Sequence, residues 1–223
     1  TADRVAKEYD TRALYDPMAL LDEVDVVSVV VPTSLHRQVA EPYLEKGIHM
    51  LLEKPVASTL DDARAIVDTA RRHGAILQVG HLERLNAGIM ALADHVTEPR
   101  FIEAHRLGPF VERATDVDVV TDLMIHDIDI ILSLVGDKLV SISATGTPVL
   151  TDYVDIANAR LEFANGAVAN VTASRVSSKK FRRIRVFGRN SYRAINFVDQ
   201  QLEVAYPGEI PDGQNYPEIV YES

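Results

Sequence analysis

Apolar residues along this chain follow two different rhythms, with the change near residue 84. Before it they form short unbroken runs separated by stretches of helical spacing. The clearest run is VVSVVV between Asp25 and Pro32, β-branched and almost without polar residues. A run apolar at every position reads as a strand covered on both faces, as in parallel α/β sheets. Residues 34–46 have helical spacing and stop at Gly47, a favourable helix end. HMLLE at 49–53 is the next strand, and Ser58/Thr59 with Asp61/Asp62 starts a helix that runs to His73 and ends at Gly74. AILQVG at 75–80 is a third strand. Residues 2–9 and the Asp16-Pro17 start through Leu21 add short helices at the front. Strand, helix, strand, helix, strand at this spacing predicts right-handed βαβ crossovers in an open parallel sheet.

Beyond residue 84 the pattern predicts a helix over 85–95, a strand over FIEAHRL, and a helix over 119–135 closed by Gly136. Alternating β segments follow at 139–149, 155–163, 167–176, 183–187, 193–198 and 201–206. Asn165-Gly166 between two of them is a strong hairpin signal. The fold class expected is α/β: a partial Rossmann-type parallel sheet over 1–84, then an α+β domain with an open, mostly antiparallel sheet over 85–223.

Charge narrows the partners. The net charge is −10, which repels phosphate backbones and anionic lipid, so neither nucleic acid nor a membrane surface is expected. The one basic cluster, at 179–185, alternates as the solvated face of a strand does. No apolar run approaches the ~20 residues of a membrane span. The absence of cysteine excludes disulfides, thiolate nucleophiles and cysteine-ligated metals, and fits the cytoplasm.

Ligands of parallel α/β sheets sit beyond the carboxyl ends of the strands. Three such ends carry unusual residues: Pro32-Thr33-Ser34-Leu35-His36, Glu53-Lys54-Pro55, and the stretch ending in Gly80-His81. Each alone reads equally well as a loop capping the next helix; together they converge on one rim. Lys54 either snorkels to water or presents an ammonium that polarises a substrate oxygen. Pro55 restricts Lys54 to extended conformations. In TDLMIHDIDIILS, Asp122, His126, Asp129 and Ser133 share one helical face, opposite Met124, Ile128, Ile131 and Val135. His126 reads either as a satisfied core histidine or as an acid/base beside Asp122. A metal shared by Asp122, His126 and Asp127 is a third reading, but with no second histidine nearby and no HExxH motif no metal is expected. His81, Glu83, Arg84 and Asn86 are candidate cleft residues. No G-x-S-x-G elbow appears.

VVPTSLH, LLEKP one βαβ unit later, VGHLERLNA and DLMIHDID, in that order, resemble the glucose–fructose oxidoreductase / inositol dehydrogenase / rhizopine-catabolism (Gfo/Idh/MocA) family over nearly the whole chain. The resemblance implies a Rossmann domain binding NAD or NADP, a C-terminal sheet that mediates homodimers or homotetramers, and hydride transfer to or from a sugar or cyclitol carbon. It is nearest to members that oxidise nucleotide-linked amino sugars. It implies Lys54, Asp122 and His126 as catalytic residues. It places Pro32, Thr33, His36, Glu53, Lys54 and Pro55 beside the cofactor, with Lys54-Pro55 at a position often cis. Substrate binding is expected from His81, Arg84, Asn86, Asp122 and His126. A non-catalytic binder of nucleotide or sugar on the same scaffold is the alternative.

The chain departs from the family in one respect. None of its 11 glycines forms a G-x-G pair, so the pyrophosphate loop would have to precede Thr1. The 223 residues alone are therefore expected to bind cofactor poorly and to be inactive. Titrating them into NADH should leave nicotinamide fluorescence without a saturable change; tight stoichiometric binding would refute that expectation.

Overall fold

The computed structural model describes residues 2–111, 117–211 and 214–222. The chain forms two compact units, Thr1–His81 and Leu82–Ser223.

In the first unit, α1 (Ala2–Glu8) and a 3₁₀ turn (Pro17–Leu20) precede β1 (Val26–Val29), α2 (His36–Glu45), β2 (His49–Leu52), α3 (Leu60–Arg72) and β3 (Leu77–Val79). The strands are parallel in the order β1-β2-β3. Asp16 caps the 3₁₀ turn by accepting from the Met18 N–H at 2.9 Å. Thr59 caps α3, accepting from the Asp62 N–H at 3.1 Å and donating its hydroxyl to the Asp62 carboxylate at 2.8 Å. Val29, Met50 and Leu52 pack with Ala40, Leu44, Ile66 and Ala70 into one core.

Within these residues one face of the sheet is covered by helices. Val26 is 61% exposed and Val30 71%, and Leu51 and Ile76 are exposed beside them. The cause is topological. Successive right-handed crossovers in the order β1-β2-β3 advance in one direction, so α2 and α3 lie on the same face.

The second unit contains a 3₁₀ turn (Leu82–Leu85), α4 (Ala87–His95), β4 (Phe101–Leu107), a π turn (Val120–Met124), α5 (Ile125–Val135) and β5 (Leu139–Thr147). Strands β6 (Ile156–Phe163), β7 (Val168–Ser174), β8 (Phe181–Gly188), β9 (Ser191–Asn196), β10 (Gln201–Pro207) and β11 (Ile219–Glu222) complete it. The sheet order is β11-β10-β9-β8-β4-β7-β6-β5. Among the described residues of this sheet only the β4–β7 pair is parallel, so the sheet is mostly antiparallel, as expected. The Asn165-Gly166 hairpin joins β6 to β7, with the Asn165 side chain accepting from the Ala167 N–H at 3.0 Å. Strand β11 has no counterpart in the sequence-based reading.

Alternation in these strands sorts the two faces. Ile102, Ala104, Ala159, Leu161, Ala169, Val171 and Ile184 face one way and build a core with Leu92, Ile130 and Ile131 of the helices. Gly136 ends α5 at φ +62° and returns its N–H to the Leu132 carbonyl at 3.1 Å; a side chain there would strain the left-handed conformation. Among the described residues no helix is long and apolar enough to cross a membrane.

Candidate functional site

The candidate residues fall into two groups, one in each unit. In the first, the ladder brings the carboxyl ends of the strands level. Glu53 donates its N–H to the Val29 carbonyl at 3.1 Å, and Gly80 donates to the Leu52 carbonyl at 2.7 Å. Pro32 and Thr33, the Glu53-Lys54-Pro55 turn and Gly80 therefore share one rim. Lys54 and Thr33 are half-buried there. The Lys54–Pro55 peptide is cis. The Glu53 carboxylate lies over Gly80, where an added Cβ would sit 3.2 Å from its Cδ and both oxygens. It also accepts from the Lys54 N–H at 3.3 Å. A residue larger than glycine at position 80 would thus push Glu53 aside.

His36 lies beneath this rim. It is 1% exposed, with Nδ1 3.1 Å from the Val56 carbonyl and Nε2 3.1 Å from the Val31 carbonyl. Val31 precedes Pro32-Thr33 and Val56 follows Pro55, so the ring clasps the two rim loops from beneath. A histidine in the first turn of α2 points into the core, which is why it reaches both backbones.

The second group centres on the start of α5. The helical segment begins one turn before the regular helix, with the Ile125 N–H bonded to the Val120 carbonyl five residues back. Such π turns recur at functional sites. Asp118 is its working cap: the carboxylate accepts from the Thr121 N–H at 2.7 Å, and the Asp118 carbonyl accepts from the Asp122 N–H at 3.1 Å. Asp122 and His126 are half-buried and four residues apart across the join between π and α geometry.

The remaining members of the expected polar face diverge. Ser133 is exposed. Asp129 turns inward and takes a bidentate pair from Arg84, Nε to Oδ2 at 2.5 Å and Nη2 to Oδ1 at 2.6 Å. That carboxylate raises the Arg84 guanidinium above its ordinary value, so it stays charged. Asp127 is bound in the same way by Arg106, at 2.9 and 2.8 Å, and Arg106 also reaches Glu83 at 3.3 Å. Burial opposes the Arg106 charge, but the two carboxylates outweigh it and hold the guanidinium above its ordinary value. Asp127 is therefore committed to Arg106 and does not serve the metal reading. Among the described residues no group of three or more His, Asp or Glu side chains gathers to hold a metal ion.

Asn86, expected to bind substrate, caps α4 by accepting from the Gly88 N–H at 3.0 Å. His81 is half-buried at the end of the first unit, just past the rim. Sequence reasoning missed Asp118, Arg106 and the Asp155–Arg175 pair. For Arg106 a signal existed: it occupies an inward register in β4 with Ile102 and Ala104, and a charge at an inward position needs a partner.

Asp155 is 0% exposed and accepts from the backbone N–H groups of Val149, Leu150 and Thr151 at 2.6–2.9 Å. Arg175 donates to it at 2.7 Å and to the Val117 carbonyl at 2.8 Å, while the Val119 N–H reaches the Val154 carbonyl at 2.9 Å. This cluster ties the approach to Asp122 onto the β5–β6 connection.

Comparison with known proteins places these residues in a family. Residues 1–81 match the model of an oxidoreductase family with an NAD-binding Rossmann fold, and residues 89–192 match the Gfo/Idh/MocA C-terminal domain. The chain is 40% identical over 208 residues to UDP-N-acetylglucosamine 3-dehydrogenase of Acidithiobacillus ferrooxidans, covering 93% of this chain and 66% of that one. A solved structure of that enzyme superposes with a TM-score of 0.89 at 38% identity, over 99% of this chain and 71% of the other. The scyllo-inositol 2-dehydrogenase (NAD(+)) of Bacillus subtilis is 30% identical over 79% of this chain and 57% of its own length. The chain thus spans about 57–71% of these relatives.

Proposed function

The chain belongs to the Gfo/Idh/MocA oxidoreductases, and from that membership we propose a nicotinamide-dependent dehydrogenase that oxidises a secondary alcohol of a nucleotide-linked amino sugar. One observation carries the reading. A chain 40% identical to a UDP-N-acetylglucosamine 3-dehydrogenase has a lysine at the end of a parallel strand and an Asp-x-x-x-His pair at the head of a helix.

The donor set on the rim suits a nicotinamide nucleotide: Thr33, Glu53 and Lys54 offer a hydroxyl, a carboxylate and an ammonium for ribose hydroxyls and a carboxamide, with Pro32 and Pro55 framing the two loops. A nicotinamide held there would supply the hydride acceptor for the carbinol carbon. His126 takes the hydroxyl proton onto a ring nitrogen, and Asp122 accepts a hydrogen bond from a substrate hydroxyl. Lys54 stabilises the negative charge that develops on the oxygen, a placed electrostatic effect worth several kcal/mol in such sites.

Assembly forms part of the same proposal. The sheet face away from α4 and α5 carries Glu103, His105, Asn158, Arg160, Asn170 and Thr172 around a hollow of about 440 Å³. A row of tilted aromatic contacts, Phe101–Phe187–Tyr192, runs beside it. Such a polar-and-aromatic open face suits pairing with a second copy, giving a cytoplasmic homodimer or homotetramer.

The test is a substrate screen of the intact protein with NAD⁺ and with NADP⁺, following reduced nicotinamide. UDP-amino sugars should turn over, and inositols and free amino sugars should react far more slowly. Turnover of inositol alone would remove the nucleotide-sugar assignment, and no reduction with any alcohol would remove the dehydrogenase reading.

A further inference from the structure

Two arginine forks grip α5 on either side of His126. At about 100° per helical residue, Asp127 lies about 100° to one side of His126 and Asp129 about 60° to the other. Each carboxylate is held by two roughly parallel N–H···O bonds, Asp127 by Arg106 of β4 and Asp129 by Arg84 of the Leu82–Leu85 turn. Glu83 of that turn also contacts Arg106, so the turn touches both forks. A bidentate pair fixes direction as well as distance, because rotating the carboxylate breaks one of its two bonds.

The helix needs such bracing. Its first turn is π rather than α, and its cap, Asp118, lies eight residues before His126. Packing of Ile130 and Ile131 resists translation of the helix, but apolar contacts are non-directional and tolerate small rotations.

From this geometry we infer that Arg84 and Arg106 are positioning residues that set the rotation of α5 and so aim the His126 imidazole. The inference rests on the dehydrogenase reading for its kinetic consequences. It also changes the role of Arg84, which acts through Asp129 rather than on the substrate. The Arg106 pair is the deeper of the two, its side chains only 3% and 2% exposed. Arg84, at 49% side-chain exposure, is the better site for substitution, since its loss leaves the core intact.

The experiment is a double-mutant cycle in the intact protein. R84Q and D129N should each lower kcat about tenfold and leave KM for the sugar within about twofold, and the double variant should lose about the same tenfold, not a hundredfold. R84K, which keeps the charge but not the fork, should recover only part of the loss. Multiplicative losses, or a rise in KM confined to R84Q, would show Arg84 on the substrate and overturn the inference. A second readout needs no turnover. The His126 ring resonances, assigned by their disappearance in H126N, should shift in both single variants and no further in the double. Unmoved His126 resonances in R84Q would overturn the inference by themselves. If the wild-type protein reduces nicotinamide with no alcohol, the dehydrogenase reading fails, and the resonance cycle still decides whether Arg84 aims His126.

Discussion

On the role proposed for His126, replacing it with asparagine in the intact protein should lower kcat by about 10²–10⁴-fold, the range over which a positioned general base contributes, and leave cofactor affinity within about twofold. Asparagine keeps the size and polarity of the site but cannot accept the hydroxyl proton. The lost interaction belongs to the transition state, so kcat and kcat/KM fall together. Denaturant unfolding of H126N, with a midpoint close to wild type, separates this from mere misfolding. Lys54→Met makes a complementary case: on the role proposed for Lys54, turnover should fall as well. Steady-state kinetics of the three proteins test both claims. An H126N enzyme turning over as fast as wild type would remove His126 from the chemistry.

The first unit was legible because its signals are local. β-branched runs, helix-ending glycines and the Thr59 cap each specify a boundary within a few residues. Within these residues the crossovers advance in one direction and put both helices on one face, which local signals do not state. In the second unit the alternation of β4 to β10 located the strands. It said nothing of their order, in which β4 is inserted between β8 and β7. Order is decided by contacts distant in sequence, and the periodicity of a strand carries no record of its neighbours.

The site shows the same division. Lys54 stands out in the sequence because a strand, a Glu-Lys pair and a proline lie within a few residues, and Asp122 and His126 because of their helical spacing; their roles belong to the proposal. Asp129 was misplaced by that same spacing. The stripe assumed one helical period from Asp122 onward, whereas the first turn is π and the arginine that claims Asp129 comes from 45 residues upstream. Asn86 and His36 are instructive in a different way. Both are polar residues at loop–helix junctions, where a cap or a backbone clasp uses the same chemistry as a ligand. The backbone partners that occupy them are set by the fold, and a sequence does not state them.

Asp155→Ala should be among the most destabilising single substitutions in the second unit, by about 3–5 kcal/mol, the cost of breaking a buried ion pair by removing one partner. The carboxylate satisfies three backbone N–H groups and Arg175 at once. Burial alone would raise its pKa, but those four donors outweigh burial and hold it well below the usual carboxylate range. The sign of the pH effect follows. A carboxyl whose folded-state pKa is depressed adds stability that is present in full above the unfolded value of about 3.9 and is lost as pH falls through the folded value. Asp155→Asn keeps an acceptor but no titration. Its stability gap to wild type should therefore be constant from neutral pH down to about 4, then narrow by about 1.4 kcal/mol per pH unit. Denaturant unfolding at a series of pH values, following the transition of the second unit, measures that gap. A gap that stays constant into acid would show that Asp155 is not the charged hub of this cluster. The consequence for catalysis follows from the same bonds. Arg175 also holds the Val117 carbonyl, and Val154 beside Asp155 takes the Val119 N–H, so the collapse of the cluster frees the segment leading into Asp122. A D155A protein that still folds should lose turnover as well as stability, although Asp155 touches neither substrate nor cofactor.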